Sequence, residues 1–247
     1  MPSSSGLFPA CPRRSFEPRR WLAWCAAFLL PVFSFADALP AYVRTALAHF
    51  SPNPPPGWAY QLTTVRDDVR MVERYDPTLA PGRQWKLVEW LGRAPTADEL
   101  ENYARSRPAA ASGGPQANFQ REDIDPASLR LVREDPEWAD FTGSFRETST
   151  GADKMLGHLE IRLSVHKSPA YVGKYQLQLK APYSPVLTVH MEELFVEATF
   201  DAPSDAAPAL PSAHTSRFRG RFLIFPKTES LVLIYSDFAA KRTELSR

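Results

Sequence analysis

Residues 158–200 read HLEIRLSVHKSPAYVGKYQLQLKAPYSPVLTVHMEELFVEATF. Leu159, Ile161, Leu163 and Val165 alternate with Glu160, Arg162, Ser164 and His166, and Tyr175, Leu177 and Leu179 alternate with Lys174, Gln176, Gln178 and Lys180. Period-two alternation places the apolar set on one face of a strand and the polar set on the other. The interruptions at Ser168-Pro169 and at Ala181-Pro182-Tyr183-Ser184-Pro185 are short and turn-like. Short connections favour antiparallel neighbours, and an antiparallel sheet can keep one face wet. The stretch therefore predicts a half-wet antiparallel sheet. The fold class is mainly β (α+β): a curved antiparallel sheet or half-barrel with two short helices.

Upstream, Leu39, Val43, Leu47 and Phe50 recur at helical spacing, and Pro40 suits a first turn. The proline run 52–56 ends that helix. Trp58 to Val65 and Val69 to Tyr75 read as a hairpin turned at Arg66-Asp67-Asp68, and Trp85 to Trp90 as a third strand. Trp85 and Trp90 differ in parity, so a regular strand would point only one of them with Leu87. Thr96-Ala97-Asp98-Glu99 has the form of a capping box and opens a second helix, which runs to about Arg107.

Downstream, Leu129 to Arg133 reads as a short strand, and Trp138 to Glu147, after Pro136, as containing another. Asp201 to Ser216, DAPSDAAPALPSAHTS, reads as a long loop. A final hairpin is expected from Arg217–Phe225 and Leu231–Asp237. The expected organisation is a signal peptide over 1–36, then a single curved-sheet domain over 37–247. Within it fall a helix and hairpin module (37–107), a Pro/Ala/Gly linker (108–116) and the main sheet (128–238).

Arg13, Arg14, Arg19 and Arg20 precede the apolar run WLAWCAAFLLPVF (21–33), and Ser34-Phe35-Ala36 follows it. This is the layout of a secretory signal, with cleavage expected after Ala36 and a periplasmic or secreted product. An uncleaved anchor is the alternative, and Arg13-Arg14-Ser15-Phe16 leaves the twin-arginine route open beside the general one. Both cysteines, Cys11 and Cys25, fall inside the segment, so thiol chemistry and disulfides are not expected in the remainder.

The whole chain has 29 Lys and Arg against 28 Asp and Glu. Four arginines and one glutamate fall in 1–36, which leaves 25 basic and 27 acidic residues beyond it. Nucleic-acid binding needs a basic excess that is absent here. The five histidines show no zinc-ligand spacing, and Ser164-Val165-His166-Lys167 matches S-x-x-K on a strand, where that motif does not function. Phosphate-binding and hydrolase signatures are missing, so neither catalytic residues, cofactors nor metals are expected.

Arg217, Arg219 and Arg221 share one strand face. Cross-strand pairing with Glu193 and Glu197 is the commoner outcome, and an anionic partner such as a lipid headgroup the other.

Gly57-Trp58-Ala59-Tyr60, Glu73-Arg74-Tyr75-Asp76-Pro77, Trp85-Lys86-Leu87 and Gly92-Arg93-Ala94-Pro95-Thr96 together resemble a module of uncharacterised exported bacterial proteins. The larger pattern, a helix followed by a sheet built from hairpins, resembles the lipoprotein-carrier superfamily. That resemblance implies an open sheet that cradles acyl chains beneath helices. The expected function is a non-catalytic periplasmic carrier or binding protein for a hydrophobic or lipid-like ligand. Its apolar pocket would be lined by Leu159, Ile161, Leu163, Val165, Tyr175, Leu177 and Leu179. The competing reading is an exported structural or protein-interaction domain whose sheet is fully packed. No transmembrane span is expected once the signal is removed.

Overall fold

The computed structural model describes residues 39–106, 119–146 and 151–241. The expected signal segment and the 108–116 linker lie outside the described residues. The elements follow the hydrophobic pattern. Helix α1 (Ala41–His49) starts from Pro40, whose carbonyl accepts from the Val43 and Arg44 amides. Strands β1 (Trp58–Arg66) and β2 (Val69–Tyr75) are joined by Asp67 and Asp68, both left-handed at φ 45° and 72°. A two-residue turn of that hand matches the twist of an antiparallel pair. Strand β3 (Trp85–Trp90) leads through a tight turn to α2 (Ala97–Ser106). Then come β4 (Arg130–Glu134), β5 (Trp138–Ser144), β6 (Leu159–Lys167), β7 (Ala170–Leu179), β8 (Tyr183–Val186), β9 (Val189–Asp201), β10 (Leu210–Phe222) and β11 (Phe225–Ala240).

All eleven strands form one antiparallel sheet in the order β3-β2-β1-β11-β10-β9-β7-β6-β5-β4, with β8 paired to β9. The sheet is open, with β3 and β4 at its edges, and this is the mainly β, curved-sheet architecture with two short helices. The β1–β3 meander joins the main sheet, because β1 pairs along its length with β11.

Two sequence expectations are corrected. The loop of 201–216 is shorter, since β10 begins at Leu210, which lies opposite Asp201. A bulge beside Pro211 accommodates the proline's missing amide. The last hairpin turns at Leu223-Ile224, not within the polar run 226–230. That run continues β11, with Pro226 opposite Arg221 and Lys227 opposite Gly220.

Directly opposed residues in an antiparallel ladder share a face. The register therefore traces one row across the whole sheet: Trp90, Met71, Thr64, Leu233, His214, Ala198, Tyr175, Leu163, Phe141 and Leu131. The row is apolar apart from the Thr64 and His214 side chains and the Tyr175 hydroxyl. A bulge at Val88 brings Trp90 onto it, since Glu73 faces Leu87 while Met71 faces Trp90. Trp85 faces Tyr75, two residues beyond Glu73. Trp85, Leu87 and Trp90 therefore all share this face, which corrects the parity argument.

The two halves of the face are covered differently. Over β6 and β7, α1 lays down buried Val43 and Ala46. Phe50 packs edge-on to Tyr175 and Phe200, at ring separations of 6.0 and 5.6 Å. Phe119, Ile124 and Leu129 complete this core. Over β1–β3 the cover is α2, which has no buried residue of its own.

Candidate functional site

The seven side chains expected to line a pocket are packed core. Leu159, Ile161, Leu163, Val165, Tyr175 and Leu177 are buried among the residues beneath α1, and Leu179 packs against them half-buried. None of the seven lines the cavity beneath α2. Phe50, Phe119 and Phe145, which lie outside the central strands, fill the space above β6 and β7.

The open space lies at the other half of the same face. A cavity of about 970 Å³ separates α2 from the sheet. Its floor is Leu231 and Leu233 of β11, Thr64 of β1, Val69, Met71 and Glu73 of β2, and Leu87 and Trp90 of β3. Its roof is Glu99, Asn102, Tyr103 and Ser106 of α2, with Arg66 and Asp67 at the rim. Leu231 and Leu233 fall in the strand that the sequence expects over Leu231–Asp237. The α2 residues and Glu73 carried no sequence signal for a site. Along β2, Arg70 and Arg74 on one face alternate with Glu73 on the other, so charge alone does not tell which face is inside.

Local chemistry holds α2 at its standoff. After β3 the chain reverses through Leu91 and Gly92, both left-handed at φ 52° and 79°. Trp90 and Arg93 then exchange backbone hydrogen bonds. The Glu99 carboxylate accepts from the Thr96 amide at 2.7 Å, and the Glu99 amide donates to the Thr96 hydroxyl at 3.3 Å. This is the reciprocal cap the sequence predicts. Arg93 adds a two-point grip on the same carboxylate, at 2.9 and 2.7 Å. The Arg93 guanidinium, followed by the Thr96 amide, brings the Glu99 carboxyl down to about 2.

Across the cavity, the Tyr103 hydroxyl donates to Glu73 Oε1 at 2.6 Å. Glu73 is 1% exposed and stands opposite buried Leu62 and Leu87. A buried carboxylate is costly unless it is hydrogen-bonded, so the Glu73–Tyr103 contact ties the roof to the floor. An apolar volume with a few fixed polar groups is the usual make-up of a small-molecule site. The polar groups here can orient a ligand head, while the leucines, Met71 and Trp90 accept an apolar body.

The other features singled out in the sequence find ordinary partners. Arg219 pairs with Glu193 at 3.3 Å and Glu192 at 4.0 Å, and Arg221 with Glu192 at 3.4 Å. Glu197 instead accepts from Gln176 at 2.6 Å, and Arg217 lies over the Phe195 ring. His166 sits against Trp138, and His158 stacks on Tyr183. Among the described residues, no group of histidine, cysteine and carboxylate side chains is arranged to hold a metal ion, and no helix is long and apolar enough to cross a membrane. No protein-family model, no curated protein and no solved structure matches the chain.

Proposed function

We propose that this chain is an exported, periplasmic carrier or binding protein for a hydrophobic or lipid-like ligand, held without covalent chemistry beneath α2. The observation that carries the reading is the cavity of about 970 Å³ left between α2 and a largely apolar face. Its size is at the upper end of the range for small-molecule pockets, about 300–1,000 Å³. An acyl chain fits the leucine, Met71 and Trp90 walls, and a polar head fits beside Tyr103 and Glu73. The N-terminal basic and apolar run supports export, and the resemblance to the lipoprotein-carrier superfamily agrees with a half-open sheet under helices.

Native mass spectrometry of material purified from its own host is the decisive experiment. A retained mass in the lipid range, displaced by a fluorescent fatty acid, is the expected result. N-terminal sequencing of the same material should begin at or near Asp37. A ligand-free mass, together with no uptake of the fluorescent fatty acid, would leave the competing reading of a packed interaction domain.

A further inference from the structure

Strands β9, β10 and β11 run beyond β7 on one side and β1 on the other. The last residue of β1, Arg66, faces Leu231, so Phe225–Ser230 has no β1 partner. On the other side, β7 leaves β9 at Phe195. Past these points the sheet narrows to β8, β9, β10 and β11. The six residues of β11 make this arm about 20 Å long at ~3.3 Å per residue.

The arm ends in two hairpin turns side by side. One joins β8 to β9 at Leu187-Thr188 and the other joins β10 to β11 at Leu223-Ile224. The Leu223 amide donates to the Thr188 carbonyl at 2.6 Å and links them. Turns of this kind normally carry glycine, asparagine or aspartate, and Leu223 is left-handed at φ 57° with a branched side chain. The positions are instead Val186, Leu187, Phe222, Leu223, Ile224 and Phe225. All are more than half exposed, with Leu187 fully so and Ile224 at 82%. Singly exposed apolar residues are normal, but six on two linked turns form a contiguous patch that marks an interaction site.

The charge order names the partner. Going back from the tip, the first charged residues are Arg221 on one arm and Lys227 on the other, then Arg219. No acidic residue falls in 183–191 or 218–228. Glu193 stands level with Arg219 and Glu192 beside it, both behind Arg221 and Lys227, as is Glu229, and all three pair with these cations. An apolar point followed by a ring of arginine and lysine matches the layering of a bilayer, hydrocarbon first and phosphate headgroups next. The patch is a projection without a groove, so it suits a deformable lipid surface.

We infer that the tip of this arm docks into the surface of an anionic lipid bilayer. Leu187, Ile224 and Phe225 enter the acyl boundary, and Arg221 and Lys227 meet the phosphates. The inference does not depend on what occupies the cavity under α2.

An environment-sensitive fluorophore on Ile224→Cys tests it, in the full chain carrying Cys11→Ser and Cys25→Ser. A second labelled chain, Asp205→Cys, places the dye in the loop between β9 and β10. Vesicles of phosphatidylcholine mixed with phosphatidylglycerol should blue-shift the label at 224 and leave the label at 205 unchanged. The label at 205 controls for vesicle binding through the apolar run 21–33, which would bring both labels to the surface alike. Leu187→Glu combined with Phe225→Glu should raise the lipid needed for the shift about tenfold, as expected when two large apolar side chains no longer enter the bilayer. Those positions are solvent-exposed, so the fold is not at stake. Arg221→Glu with Lys227→Glu should abolish the preference for anionic vesicles. Three results would each overturn the inference. They are no shift at 224, an equal shift at 205, and an equal response to phosphatidylcholine alone. A concentration-dependent shift without lipid, lost in the Glu variants, would assign the tip to a second copy of the chain instead.

Discussion

The Tyr103 hydroxyl lies 2.6 Å from Glu73 Oε1, and this bond joins a helix with no buried residue to a carboxylate that is 1% exposed. At the first turn of α2, Arg93 and the Thr96 cap grip Glu99. The Thr96–Glu99 cap and the Tyr103–Glu73 bond both hold the roof over the floor.

Tyr103→Phe should destabilise the protein by about 1–3 kcal/mol, the cost of taking one partner from a buried polar group. The loss should be local. Amide exchange should accelerate across 97–106, with little change in β5–β7. Equal acceleration in both regions would mean that α2 does not open independently.

Core and cavity wall should respond differently to truncation. Leu163→Ala empties a packed site beneath α1 and should cost about 2–5 kcal/mol without altering the affinity of the folded protein for a fatty-acid probe. Met71→Ala, on the same row but at the cavity, should cost about 1 kcal/mol, because it removes area that is already partly wet. Met71→Trp should reduce probe uptake while the protein stays folded. Urea melts and probe titrations on the three variants read this contrast.

Acid should weaken the protein through His214. Burial holds its imidazole below the ordinary range, in the row between Leu233 and Ala198. Above the unfolded pKa of about 6.5 both states are neutral and stability is unaffected. As pH falls below that value the unfolded chain takes a proton that the folded chain refuses, so stability is lost until the lower folded pKa is passed. Denaturation curves measured from about pH 7.5 to 5.5 should show this slope, and His214→Gln should flatten it.

The cap should show its electrostatics directly. Arg93→Ala removes the main cause of the low Glu99 pKa, so the carboxyl should titrate nearer its ordinary value in NMR. In the wild type the folded pKa is depressed, so the cap's contribution is present above the unfolded value and fades as pH falls toward about 2. In the variant it should fade at higher pH.

The strands were readable because alternation is a local signal. Leu159–Val165 and Tyr175–Leu179 declare both their strand character and their buried face. Three things were not local. The bulge at Val88 shifts Trp90 onto the face of Leu87, and nothing in WKLVEW marks it. The turn at Leu223-Ile224 carries none of the usual turn residues, whereas the polar run after Pro226 imitates one. The location of the cavity depended on which half of the face α1 covers. Alternation identifies an apolar face without saying what lies above it, and Phe50 and Phe119 reach Tyr175 across 125 and 56 residues of sequence. Glu73 was hidden for a related reason, since its burial follows from α2 folding back over β2.

The pairing of β1 with β11 also governs the order in which the molecule can assemble. Trp58 lies opposite Ala240, so the first strand waits for the last. Until residues 225–240 are available, the β1–β3 hairpins have no sheet to join, and Leu62 has no Tyr235 opposite it. Contacts this distant in sequence slow folding, because the loop must close before the pairing rewards it. The strand pairing beneath α1 has no such dependence, since β4 to β7 are neighbours in both sequence and space. Folding should begin there, and the cavity, which needs β11 as its floor, should be the last part of the protein to exist.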